Sequence, residues 1–497
     1  MPKTISPTRI RDLNQAPKQP EGEYVLYWMI AARRSRWNFA LQHAIHLAAE
    51  LNVGLLVFEP LRCDYPFACD RFHRFILEGM RDNVNFFNSS GVTYYPWVET
   101  SPGEGRGLLQ ALADKACAVI TDDMPTTFIT QMLAKAASKL NISLHAIDGN
   151  GLLPLQLVDK EYPTAYVFRR FLHKALPAFI DDQPQVTPLK NCSLPQISVD
   201  REIQNTWPLA DLDALLGHCG LKSLPIDHQV EPTTQIGGSR QAEQQLDKFL
   251  DHDFDQYSER RNIPDADCTS RLSAYLHFGH ISAHQIFSQL ATREKWSSRR
   301  LNLRPSGKRH GWWGMSETAE DFLDELVTWR ELGFGFSSQR NDFSEYNSLP
   351  AWARESLQHH SHDERPYYYD YDQFQRAETH DPLWNAAQRQ LLREGRIHGY
   401  LRMLWGKKIL EWSPTPQQAM EIMIELNDRY ALDGRDPNSY SGIGWCLGRF
   451  DRAWGPERPI FGKIRYMTSK NTARKVAVKD YLKRYAAEPQ SDLFSDH

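Results

Sequence analysis

The residues best suited to chemistry in this 497-residue chain lie mostly in its second half. Between residues 268 and 279, CTSRLSAYLHFG offers the hydroxyls of Thr269, Ser270 and Ser273, with Arg271 and Leu272 between them and Tyr257 twelve residues upstream of Thr269. Hydroxyls and backbone N–H groups opening a helix, joined by a guanidinium, suit a diphosphate. The same T-S-x-L-S also makes a good helix cap and nothing more. Trp405 and Trp412 stand seven residues apart, two helical turns, and so share one face; core packing is the ordinary use of such a pair. Trp445, beside Gly442 and Gly444 in SGIGWCLGRF, is expected on a loop, where packing explains an indole less well.

Other constellations are weaker. The glycines of residues 103–107, GEGRG, can bend around a phosphate, but an ordinary loop is the better reading. His359, His360 and His362 with Asp363 lack a second ligand pair, so no metal is expected. No P-loop, no G-x-G-x-x-G after the first strand and no nucleophile elbow occurs, which argues against nucleoside triphosphates, the usual dinucleotide mode and a serine-type triad.

These residues need elements to hold them. From Tyr24 to Asp148, five apolar runs (EYVLYWMI, VGLLVFE, VTYYPWV, ACAVITDD, ISLHAID) alternate with amphipathic segments, which predicts a doubly wound, Rossmann-like α/β domain with a parallel sheet. Residues 181–240 carry six prolines and little periodicity, an irregular connection. After residue 240 helical periodicity dominates and an all-α domain is expected. The expected organisation is a flexible N-terminus (1–20), an α/β domain (21–180), a linker (181–240), a helical domain (241–485) and a tail (486–497).

Composition sets the compartment and the charge. At 41% hydrophobic, 24% charged and mean hydropathy −0.56, with no long apolar run and no apolar leader, the chain is expected in the cytoplasm, nucleoid-associated in a bacterium, without a membrane partner. Seven cysteines without a C-x-x-C pair read as free thiols. Net charge is −4, yet residues 449–485 hold eleven basic and three acidic side chains, a local +8. A cationic segment on an acidic protein confines phosphate contact to one face, although a charge run is more often just solvated.

The 268–279 stretch resembles the flavin-diphosphate loop of the photolyase/cryptochrome family. Downstream, THDPLWNAAQ from Thr379, HGYLRMLWGKKILEW from His398, LNDRYALDGRDPNSY from Leu426 and ERPIFGKIRYM from Glu457 are similar, in order and nearly without gaps, to signature segments of class II cyclobutane pyrimidine dimer photolyases. The N-terminal half matches more loosely, through VLYWM, Arg36-Trp37-Asn38, FHRFILEGM and the turn at 147–154.

The resemblance implies a specific chemistry. FAD lies bent in the helical domain, and its excited reduced anion lends an electron that splits the dimer and then returns. Tyr257, Thr269, Ser270, Arg271, Leu272, Ser273 and Arg330 are implied cofactor contacts. Arg402 and Asp433 are the implied ion pair beside the flavin, with Asn427 facing its reactive nitrogen; a cation or polar group there is what a flavin anion needs. A structural salt bridge is the plain alternative for the pair. Trp405 next to the flavin, Trp384 in the middle and Trp412 outermost are the implied electron relay from the surface. Glu325, Trp329, Met403 and Trp445 are the implied pocket for an extruded dimer, with core burial the alternative for Trp329. Arg452, Lys463, Arg465 and Lys470 are the implied phosphate contacts. UV-damaged DNA is the expected partner and a monomer the expected state. Many family members add an antenna pigment, a deazaflavin or a folate, in the α/β domain.

Residues 333–341, GFGFSSQRN, depart from the family's usual pattern, so lesion preference stays open. Two rivals make different predictions. A cryptochrome-like photoreceptor without repair activity would carry a long C-terminal extension or lack Glu325 and Trp445, whereas both are present and the chain ends twelve residues past Tyr485. A flavoprotein for dark redox chemistry would show a nicotinamide fingerprint, which is absent.

Overall fold

A computed structural model describes residues 4–190 and 192–487. The β-branched and aromatic runs form β1 (Ile10–Asp12), β2 (Tyr24–Trp28), β3 (Gly54–Leu61), β4 (Thr93–Val98), β5 (Ala116–Asp122) and β6 (Leu144–Ile147), in the sheet order β1-β6-β5-β2-β3-β4. Every neighbour is parallel except β1, which runs antiparallel to β6 with Ile10 opposite Ile147. The helices of this region are α1 (Phe39–Leu51), α2 (Asp70–Asn88), α3 (Leu108–Ala113), α4 (Thr127–Ala137), α5 (Ala165–Ala175), α6 (Arg201–Thr206) and α7 (Leu212–Leu216). Strand side chains alternate between faces. Val25 and Tyr27 therefore pack under α1 and α2, while Leu26 and Trp28 meet α3, α4 and α6 on the other face. The doubly wound sheet expected from the sequence is present.

Beyond Gly238 the chain is helical: α8 (Ser239–Lys248), α9 (Tyr257–Arg260), α10 (Ser273–His277), α11 (Ala283–Arg293), α12 (Glu317–Leu323), a π-helical stretch Asp324–Trp329, α13 (Arg330–Gln339), α14 (Ala351–His359), α15 (Tyr371–Gln375), α16 (Pro382–Glu394), α17 (Gly399–Trp412), α18 (Pro416–Tyr430), α19 (Pro437–Cys446), α20 (Ser469–Lys475) and α21 (Lys479–Arg484). Local chemistry sets several boundaries. Asp381 caps α16 by accepting the N–H groups of Leu383 and Trp384, and left-handed Gly395 ends that helix.

Three expectations are corrected. Residues 4–20 are not a loose arm: β1 extends the sheet, and the fully buried Arg9 donates to the carbonyls of Gly151 and Leu152 and pairs with Asp182 at 3.0 Å. The 181–240 connection carries α6, whose Ile203 belongs to the sheet core, and α7. SGIGWCLGRF is not a loop, because α19 runs through Trp445. Packing also divides the chain elsewhere than at 181–240. One compact unit takes residues up to Ser258 with Ser270–Phe343 and Arg435–Asn438; the other takes Glu259–Thr269, Ser344–Gly434 and the chain from Ser439 on. Part of the expected helical domain thus belongs with the sheet.

Candidate functional site

In the first unit the helix from α12 to α13 is buried on nearly every residue. Between residues 319 and 337 only Glu325 and Trp329 escape full burial. Both lie in the π-helical stretch, four residues apart and on one side of the helix. Plain core burial therefore fails for Trp329, since its neighbours are the core and it is not. The next turn is an interior electrostatic joint. Arg330 donates to the Asn150 carbonyl, and the Glu331 carboxylate accepts the N–H groups of Leu152 and Leu153. Burial nonetheless pushes the Glu331 carboxyl up to about 8.

The loop before α10 does not use its hydroxyls as caps. α10 starts at Ser273 behind Leu272, without any side-chain cap, and the hydroxyls of Thr269, Ser270 and Ser273 have no hydrogen-bond partner among the described residues. Arg271 adopts a left-handed φ of 55°, a conformation uncommon for a non-glycine residue. Tyr257 packs edge-on against Phe249 and Phe322.

In the second unit α17 presents the key groups. Arg402 pairs with Asp433 at 3.1 Å, and both are partly exposed. Met403 is also partly exposed, with its sulfur 4.0 Å from the Cys446 thiol, the residue after Trp445. Asn427, at the end of α18, donates to Asp428 at 3.0 Å. The three tryptophans converge. Trp384 Nε1 donates to the Trp405 carbonyl at 3.0 Å, and the Trp384 and Trp412 rings lie 5.9 Å apart at 70°. Trp405 Nε1 donates to Gln388 Oε1 at 2.8 Å. Trp412, expected as the outermost of the three, is 1% exposed and covered by Tyr369, Phe374 and His380.

Arg452, Lys463, Arg465 and Lys470 are all exposed, although Lys463 pairs with Glu457 at 3.3 Å. Arg449 of the same basic run is interior, donating to Ser348 and to the Tyr440 carbonyl. Sequence reasoning missed Trp454, whose ring lies beneath the guanidinium groups of Arg452 (4.8 Å) and Arg465 (5.3 Å). It also missed Lys407, 0% exposed, which donates to the Cys446 carbonyl at 2.7 Å and is pushed down to about 8 by burial. A lysine within W-G-K-K carries no sequence sign of burial, whereas Arg452, two residues before Trp454 in a basic run, was a readable cue for that ring.

The weaker constellations are explained locally. The N–H groups of Gly103 and Gly105 are taken by the Glu99 carboxylate, so that loop offers little to a phosphate. His360 is paired with Asp363 at 2.6 Å and with Glu457 at 3.3 Å, and these carboxylates hold its imidazole above the usual value against partial burial. At the carboxyl ends of β2 and β5, Asp122 Oδ2 accepts the N–H groups of Ile30, Ala31 and Ala32. The crevice beside them encloses about 30 Å³, space on the scale of single waters. Among the described residues no helix is long and apolar enough to cross a membrane.

No family model matches the chain. It is 35% identical to the deoxyribodipyrimidine photo-lyase of Methanothermobacter thermautotrophicus over 97% of this chain and 98% of that protein. It is 32% identical to the protein of the same name from Oryza sativa, over 97% and 91%, and 29% identical to that of Potorous tridactylus, over 95% and 83%. A crystal structure of a bacterial class III photolyase from Agrobacterium tumefaciens has the same fold, with a TM-score of 0.67 at 16% identity over 93% of this chain and 86% of that one.

Proposed function

Because this chain belongs to the photolyase/cryptochrome family, among the deoxyribodipyrimidine photo-lyases that it matches end to end, we infer that it is a light-driven DNA lyase that reverses cyclobutane pyrimidine dimers. The observation that carries the catalytic reading is the pair Glu325 and Trp329, a carboxylate and an indole left open on an otherwise buried helix. An exposed carboxylate beside a partly exposed indole is a pair that can meet the edge and face of a base.

FAD is the family's cofactor, and when bound it supplies light-driven one-electron chemistry. The donor set of this chain suits it. The uncommitted hydroxyls of Thr269, Ser270 and Ser273, with Arg271, would hold a diphosphate, with Leu272 and Tyr257 as apolar neighbours. Arg402, only partly neutralised by Asp433, would set a positive potential for a flavin anion, and Asn427 would present an amide to the ring. Arg330, interior in the first unit, would act by shaping the backbone at Asn150.

On the lesion, Glu325 would accept the imide N–H of a pyrimidine, while Trp329 and Trp445 supply flat walls and Met403 an adaptable one. The joined, poorly stacked dimer costs little to extrude from a duplex. Arg452, Lys463, Arg465 and Lys470 would take the phosphates, with Trp454 as the platform that orients the two arginines. Trp405, Trp384 and Trp412 would carry an electron inward to an oxidised cofactor. Whether a deazaflavin, a folate or no antenna pigment joins them is read from the absorption spectrum of the purified protein.

The deciding experiment is an illuminated repair assay on duplexes carrying either a cyclobutane dimer or a (6-4) photoproduct. Restoration of the cyclobutane substrate under blue light, with none in the dark and none for the (6-4) substrate, is expected. Failure to restore the cyclobutane substrate overturns the reading.

A further inference from the structure

The outer face of α5, far in sequence from the basic run already described, combines cations with aromatic rings. Val167, Arg170, Phe171 and Lys174 follow helical spacing on one side. With Lys160, Tyr162 and Pro305 they line a depression of about 450 Å³, within the size range of small-ligand sites. Phe171 stacks on Tyr162 at 5.0 Å and 27°. Tyr166, one turn before Arg170, is 52% exposed, and Leu303 on the adjoining loop is 77% exposed. That loop is clamped to the helix at left-handed Gly307, where a Cβ would come within 2.5 Å of Arg170 Cγ and 3.0 Å of the Tyr166 carbonyl. Neither Arg170 nor Lys174 nor Lys160 has an acidic partner within 4 Å among the described residues. The nearby acids are otherwise engaged: Glu161 pairs with Arg340 at 3.0 Å, and Asp159 acts on the Tyr162 hydroxyl.

The opposite side of the helix ties this face to the lesion residues. Arg169 pairs with Asp324 at 2.7 Å and donates to the Gly307 carbonyl at 3.1 Å. Asp324 opens the π-helical stretch and immediately precedes Glu325. We propose that the outer face of α5, with residues 303–307, binds a nucleotide of the DNA strand flanking the lesion, its phosphate on Arg170 and Lys174 and its base against Tyr166. Unpaired cations beside exposed rings are the combination that single-stranded nucleotides select, since phosphates take the charges and any base has a face to stack. The proposal rests on the repair reading, because Glu325 and Trp329 define where the lesion sits.

The test measures binding of the holoprotein to dimer-bearing and intact duplexes by fluorescence anisotropy between 50 and 200 mM NaCl, conditions over which phosphate contacts dominate. In the double variant Arg170→Gln/Lys174→Gln the slope of log K against log salt should shrink by about 0.7 to 0.9, as expected for one lost phosphate contact. Tyr166→Ala should lose about fivefold or more in affinity with its slope unchanged. An unchanged slope in the double variant, or unchanged affinity in Tyr166→Ala, overturns the proposal. The two readings fail separately: a wild type that does not prefer dimer-bearing duplex sinks the repair reading, while a wild type that does prefer it, with the double variant's slope on that duplex unchanged, sinks this proposal alone.

Discussion

An indole passes an electron well only where its surroundings tolerate the cation it becomes, a condition on the relay proposed for Trp405. Its N–H is held by the neutral amide oxygen of Gln388 at 2.8 Å, an acceptor that favours the oxidised ring. Trp405→Phe should abolish photoreduction of the oxidised cofactor while chemically reduced protein still repairs; normal photoreduction in that variant would remove Trp405 from the relay. Gln388→Leu leaves a buried N–H unpaired, so it should cost about 1–3 kcal/mol in denaturant unfolding and slow photoreduction. The tryptophans were legible because indoles at helical spacing stand out in any sequence. Gln388 was not, because its partner lies 17 residues away on another helix and a buried glutamine looks like a surface one. The cover over Trp412 was illegible for the same reason, since Tyr369 and His380 reach it from outside its helix.

At the scale of elements, the helical periodicity of the second half correctly announced α11, α16, α17 and α18. It could not announce the π-helical turn, because one extra residue per turn changes no residue type. The short β1 escaped notice because Ile-Arg-Asp has too few apolar residues to show alternation, and α19 because its glycines mimic a loop. Two variants probe the elements. At Gly151 a Cβ would sit 2.7 Å from the Glu331 carboxyl, so Gly151→Ala should destabilise the first unit by about 1–3 kcal/mol through overpacking, read as a lowered unfolding midpoint. Trp445 is partly open on α19 while Ile443, Gly444 and Cys446 are buried. Trp445→Ala should therefore weaken binding of dimer-bearing duplex by tenfold or more and leave cofactor content unchanged; equal loss for intact duplex would assign it to general DNA contact instead.

For the whole molecule, stability and charge answer to pH and salt. Lys407 titrates at about 8 when folded against an ordinary 10.5, because burial disfavours its cation. The unfolded chain consequently binds more protons between these values, so this group makes stability rise as pH climbs from about 8 to 10.5. Below pH 8 its burial penalty is present in full, about 3 kcal/mol by linkage. The Cys446 thiol, pushed up to about 11 by burial, acts with the opposite sign. The wild-type curve minus that of Lys407→Met isolates the lysine: a rising difference across pH 8–10.5 is expected, and a flat one removes the assignment. The net charge of −4 gave no hint of a nucleic-acid partner until the chain was divided, because the basic run and its acidic remainder nearly cancel.

The two guanidinium groups over the Trp454 ring make that ring an internal optical gauge. A phosphodiester that draws Arg452 or Arg465 aside uncovers part of the indole, so docking of an intact duplex should alter tryptophan emission, and the alteration should shrink in Trp454→Phe.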